Sequence, residues 1–112
     1  MAKKKGRSSR ANQSEEMERI DIFYIPKSMA DMYRVLRQSV LEEVEAWARA
    51  HFDRVDRIQD EDQGETIVAE TAAEPNFSYP LNPNNISQAQ KARDKGQLET
   101  YLESYYEEHS QA

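Results

Sequence analysis

A helix-dominated α+β domain is the fold class this sequence predicts. Three observations carry it: a helical stripe from Ser28 to Ile58, a β-branched and aromatic run just before it, and a Pro- and Asn-rich stretch that separates it from a C-terminal pair of helices. In order, the expected elements are one strand at 19–25, a long amphipathic helix at 28–58, a short second strand at 65–71, an irregular segment at 72–85 and helices at 88–95 and 97–108.

The strand rests on Arg19 to Ile25, RIDIFYI, rich in the residue types that suit a pleated surface and stopped by Pro26. Ile20, Ile22 and Tyr24 alternate with Asp21, Phe23 and Ile25, so both faces are largely apolar and burial or pairing on both sides is expected.

The helix rests on Met29, Tyr33, Leu36, Val40, Val44, Trp47, His51, Val55 and Ile58, which recur at steps of three or four and therefore share one face. Ser28 is placed to cap the first amides, with Asp31 reaching back in a capping box and Pro26 holding the approach extended. Asp31–Arg34, Glu45–Arg49 and Asp53–Arg57 are spaced to pair on the outer surface. Arg54 and Arg57 suit the negative end of the dipole, and Gln59 to Gly64 is too acidic and flexible to continue the helix. Val35, Leu41 and Phe52 lie off the stripe. A rod of about 46 Å is also longer than a domain of this size can bury, so a second copy packed along the helix, a homodimer, is expected. Two-sided packing within a monomer is the alternative.

The short strand rests on ETIVAET, with Ile67, Val68 and Ala69 apolar. The stretch AAEPNFSYPLNPNN carries three prolines and four asparagines and reads as irregular, although Phe77, Tyr79 and Leu81 alternate and are expected to pin it onto a groove. Ser87 can cap the next helix and Gly96 close it. The apolar stripe then restarts at Leu98, Tyr101, Leu102, Tyr105 and His109, which places a break at Gly96. Tyr101, Tyr105 and Tyr106, with Leu98 and Leu102, read either as core packing against the long helix or as a docking helix.

Residues 1–18 are expected to form a disordered basic arm, 19–109 a single small domain and 110–112 a frayed tail. Lys3, Lys4, Lys5, Arg7 and Arg10 supply five positive charges before any acid appears, within a net charge of −6. They are candidates for contact with nucleic acid or an acidic partner, or a solubilising tail. The body is acidic: Gln59 to Gln90 holds six acids and Gly96 to the end four, with no Lys or Arg in either stretch. Such a surface repels phosphates, so a nucleic-acid-coating body is disfavoured.

Catalytic chemistry is sparsely provided. Cysteine is absent, which removes a thiol nucleophile and a disulfide framework. His51 and His109 lack a second ligand at metal-binding spacing, and the glycine in Asp60 to Glu65 falls one place early for a calcium loop. The three glycines lie too far apart for a phosphate loop, and no metal or cofactor is expected. MAKKKGR is followed by polar residues rather than an apolar run, and nothing is long and apolar enough to span a bilayer, so no membrane association and a cytoplasmic setting are expected.

One cluster stands out. Glu43, Trp47, His51 and Arg54, spaced four, four and three, place charge in or beside the apolar stripe. They read as a recognition face anchored by Trp47, with Glu43 and Arg54 setting register. The plainer reading is a wet boundary with snorkelling stems. The expected function is thus a non-catalytic interaction or adaptor protein, docking through the long helix with the basic arm as an electrostatic aid. The alternative is a dimeric sequence-specific DNA-binding regulator using the 19–25 strand. A strand closed by proline and running into a helix is the arrangement of ribbon-helix-helix proteins. However, Asp21 and Phe23 occupy the outward positions and no glycine breaks the helix at Gln38-Ser39, so the chain is not assigned to that class.

Overall fold

The computed structural model describes residues 16–72 and 74–109. It contains three helices and two antiparallel sheets: β1 (Met17–Ile20), β2 (Phe23–Pro26), α1 (Lys27–His51), β3 (Arg54–Asp60), β4 (Gly64–Thr71), β5 (Glu74–Pro80), α2 (Pro83–Asp94) and α3 (Leu98–His109). The fold is mixed α+β, but the expected order of elements is overturned at three places.

First, the 19–25 strand is a hairpin. β1 and β2 pair antiparallel from Met17↔Pro26 to Ile20↔Phe23, and the chain reverses at Asp21-Ile22. Asp21 takes φ 59, a left-handed conformation that Asp tolerates better than most side chains, and Arg19 Nε donates to its carbonyl at 2.8 Å. Met17 and Glu18, expected in the arm, are strand residues. Ile20 and Ile25 close over Ala30, with Phe23 and Tyr33 packed alongside, in a small core of their own.

Second, the long helix ends at His51, not Ile58. Phe52 is extended (φ −132, ψ 156), and its N–H still donates to the Ala48 carbonyl at 2.8 Å. Beyond it, Arg54 to Asp60 pairs with β4 from Arg54↔Glu70 to Asp60↔Gly64. The segment gains a full ladder of backbone hydrogen bonds, and its β-branched residues suit a strand. The acidic stretch read as a helix end is the hairpin turn: Asp60 Oδ1 accepts from the N–H groups of Asp62 and Gln63 at 2.8 and 2.9 Å, and Gly64 supplies φ +82. At its other end α1 starts at Lys27 after Pro26, so Ser28 lies within the first turn rather than at the cap position the sequence suggested.

Third, the Pro/Asn segment is largely β5, paired with β4 from Thr66↔Pro80 to Thr71↔Glu74, with an irregularity between Ala69 and Thr71. Phe77, Tyr79 and Leu81 do alternate inward, and all three are buried. Being an edge strand, β5 tolerates Pro80 at its last position. α2 begins at Pro83, earlier than expected, with Asn82 accepting from the Asn85 N–H at 2.7 Å.

The main core fills the space between the inner face of the β3-β4-β5 sheet and the helices. Leu41, Val44 and Ala48 of α1 meet Ile67 of β4, Phe77 and Tyr79 of β5, Ile86 of α2 and Leu102 of α3. Leu41 and Phe52, which the stripe left uncovered, are therefore buried within one chain, while Val35 is 71% exposed.

The hairpin is held to the sheet by a polar clip. Asp21 Oδ2 accepts from the Glu65 N–H at 2.5 Å and Oδ1 from Gln59 at 2.6 Å, while Arg37 joins Glu65 (2.5 Å) and Asp21 (3.7 Å). Gly64 lies against it. A Cβ there would collide with the Asp21 carboxylate and approach the Phe23 ring to 2.9 Å.

Candidate functional site, the groove beside Trp47

The second half of α1 places Glu43, Trp47 and His51 one turn apart along one edge. Facing them are Arg93 near the end of α2, Gly96 in the turn, and Leu98, Glu99 and Thr100 at the start of α3; together they line a cleft of about 560 Å³. A second cleft, about 460 Å³, is lined by Trp47, His51, Phe52, Thr71, Glu103, Tyr106 and Glu107. Trp47 and His51 line both, so the two clefts form one groove on either side of this aromatic pair.

Trp47 is 7% exposed and its indole N–H has no acceptor among the described residues. Its ring is gripped by Phe77 at 5.1 Å and Phe52 at 6.0 Å, and stacked by His51 at 4.5 Å. His51 Nδ1 lies 2.8 Å from the Trp47 carbonyl. A carbonyl only accepts, so Nδ1 carries the hydrogen and Nε2 is the free acceptor of the neutral ring. Glu43 is engaged by Arg93 at 3.1 Å and by Ser39 Oγ at 3.4 Å, while Arg93 also donates to Ser39. This triad ties α1 to α2.

Glu99 and Glu103 are exposed, stand one turn apart on α3 and have no cationic partner among the described residues. Glu107 continues the row. Like charges at this spacing destabilise a helix slightly, and they give the α3 rim a negative field.

The structure thus brings together Glu43, Trp47 and His51, but not Arg54. Once the chain leaves the helix at Phe52, Arg54 joins β3, where it pairs with Asp56 at 3.1 Å and Glu70 at 3.7 Å. Lys3, Lys4, Lys5, Arg7 and Arg10 lie outside the described residues. Sequence reasoning missed Arg93, Glu99 and Glu103. The Glu99–Glu103–Glu107 spacing was readable, but which helix it would face was not.

Under the groove, an aromatic stack joins sheet to α3. Tyr79 donates to the Asn85 carbonyl at 2.7 Å and meets Tyr101 Oη at 2.8 Å, with Tyr105 at a ring distance of 4.7 Å. Burial, reinforced by the Tyr101 contact, pushes the Tyr79 phenol well above its ordinary range, and burial likewise raises Tyr101 and Tyr105. The Tyr101, Tyr105 and Tyr106 face therefore packs against the core rather than standing free.

Among the described residues, no three His, Asp or Glu side chains are grouped to hold a metal ion, and no helix is long and apolar enough to cross a membrane. Comparison with protein-family models, curated proteins and solved structures finds no match to this chain.

Proposed function

We propose that this chain is a non-catalytic interaction module whose groove beside Trp47 docks a cationic peptide segment. The observation that carries the reading is the pairing of an anchor with an uncompensated rim. A buried tryptophan whose N–H lacks an acceptor lies in a groove edged by Glu99 and Glu103, which have no counter-charge among the described residues. Lysine or arginine side chains of an incoming segment meet the glutamates, and their apolar stems lie against the exposed edge of the Trp47–His51 pair. A docking rather than catalytic role is further supported by the state of the groove's titratable side chains. Glu43 is held in an ion pair by Arg93 rather than left as a free base.

The same reading includes a second copy of the chain on the solvent face of α1. Met32 and Val35, about one turn apart there, are 67% and 71% exposed.

Trp47 is the only tryptophan, so its fluorescence reports groove occupancy. Titrating the full chain with a short Lys/Ser peptide is expected to change that emission saturably, with at least tenfold weaker binding in Glu99→Gln/Glu103→Gln. No response, or an equal response to a Glu/Ser peptide, overturns the reading.

A further inference from the structure

We infer that the free edge of β5, beside α3, takes an extended, uncharged segment of another polypeptide as a fourth strand of the sheet. This surface differs in chemistry from the groove beside Trp47, since it works through backbone hydrogen bonds rather than charge.

Ladder phase fixes which backbone groups of β5 face outward. The Leu81 N–H donates to the Glu65 carbonyl at 2.8 Å, and the register continues through Thr66↔Pro80, Ile67↔Tyr79, Val68↔Ser78 and Ala69↔Phe77. Hydrogen-bonded and non-bonded pairs alternate along an antiparallel ladder, so Tyr79 and Phe77 bond inward to β4. The Asn76 carbonyl, the Ser78 N–H and the Ser78 carbonyl therefore point away from β4, and none of the three has a hydrogen-bond partner among the described residues. The Pro80 carbonyl faces the same way but is already met by Asn85 Nδ2 at 2.8 Å, and proline has no N–H to offer. The open edge is thus short. It suits a few residues running antiparallel to β5, with one residue exchanging both hydrogen bonds with Ser78 and the next but one donating to Asn76.

A wall stands beside this edge. A cleft of about 230 Å³ lies between Asn76, Ser78 and Pro80 on one side and Tyr105, Tyr106 and His109 of α3 on the other. Tyr105 stacks on His109 with ring centroids 3.8 Å apart and meets the buried Tyr79 edge-on at 4.7 Å, so the wall is in place before anything docks. Such preorganisation lowers the cost of ordering an incoming chain.

The occupant's chemistry follows from the pleat. Side chains of the added strand in line with Ser78 share its exposed face, and those in line with Phe77 and Tyr79 turn toward the helices, where the α3 rings lie. The segment therefore alternates small polar residues with β-branched apolar ones. No charged residue occurs from Asn76 to Pro80. The sheet's other edge is the contrast: β3 carries Arg54, Asp56, Arg57 and Asp60 within seven residues. Charge placed along an edge opposes strand addition, and this stretch of β5 has none.

The test uses isotopically enriched full chain and a blocked Ser-Val-Ser-Val-Ser peptide. The Ser78 amide proton is expected to move downfield saturably while the Trp47 indole signal stays in place. Methylating the nitrogen of the central serine, whose N–H faces β5, is expected to weaken binding about tenfold, the equivalent of one backbone hydrogen bond. Methylating the nitrogen of the first valine, whose N–H faces away, is expected to leave binding unchanged. Ser78→Pro removes an outward N–H without touching the ladder, so it is expected to keep the parent's circular dichroism and to lose the peptide response at the Phe77 and Tyr79 amides. The methylated pair decides the matter even if the proline variant does not fold. No movement of Ser78 at millimolar peptide, or equal weakening by the two methylated peptides, overturns the inference. So does a shift at Trp47 in place of Ser78. A Ser78 shift that grows with chain concentration in the absence of peptide overturns it as well, because the edge then belongs to a second copy.

Discussion

Glu45 of α1, only 5% exposed, is held by Arg57 of β3 through paired hydrogen bonds of 2.5 and 3.1 Å. The pair staples the helix to the sheet's edge strand, and Arg49 approaches the same carboxylate at 3.8 Å. The Arg57 hydrogen bonds outweigh burial and hold the Glu45 carboxyl below its ordinary range. A depressed folded-state pKa adds stability that is fully present above the unfolded value of 4.5 and is lost as pH falls through the folded one. Glu45→Gln is therefore expected to lower stability at pH 7 by about 1–3 kcal/mol in urea unfolding, with the gap to the parent narrowing below pH 4.5. A gap that widens in acid would contradict the assignment.

Gly64 and Gly96 both have positive φ, but only Gly64 is crowded, by Asp21 and Phe23. Gly96→Ala is expected to cost about 1 kcal/mol through backbone strain alone, and Gly64→Ala clearly more, because the hairpin clip must also give way. Equal losses for the two would show that the clip is soft.

Tyr79 Oη is shared between the Asn85 carbonyl and Tyr101. Tyr79→Phe leaves that buried carbonyl short of a donor and is expected to cost about 1–3 kcal/mol in thermal or urea unfolding. Because burial raises the folded-state pKa of Tyr79, its contribution is complete below the unfolded value of 10.0 and declines as pH rises beyond it. Alkaline destabilisation should be shallower in the phenylalanine variant than in the parent.

Val35 is the most exposed of the large apolar residues at the α1 surface. Light scattering is expected to give the mass of a dimer, and Val35→Arg to shift it toward the monomer without loss of helical circular dichroism. A parent chain that stays monomeric across concentrations removes the second copy from the proposal.

What the sequence determined by itself was local. The 3.6-residue period from Met29 to His51, the break at Gly96, the β-branched run before Thr71 and the inward alternation of Phe77, Tyr79 and Leu81 each follow from neighbouring residues alone. So does the grouping of Glu43, Trp47 and His51. What only the tertiary structure decided was pairing. Val55 and Ile58 continue the helical spacing of the stripe, yet their segment turns into β3 because β4 offers it a ladder of hydrogen bonds, an interaction with residues up to sixteen positions away. The Asp21-Ile22 reversal lacks the usual glycine, and Asp21 is held instead by Glu65 and Gln59, far along the chain. The groove's second wall came from the same source, since helical periodicity reports which residues share a face but not which distant helix will meet it.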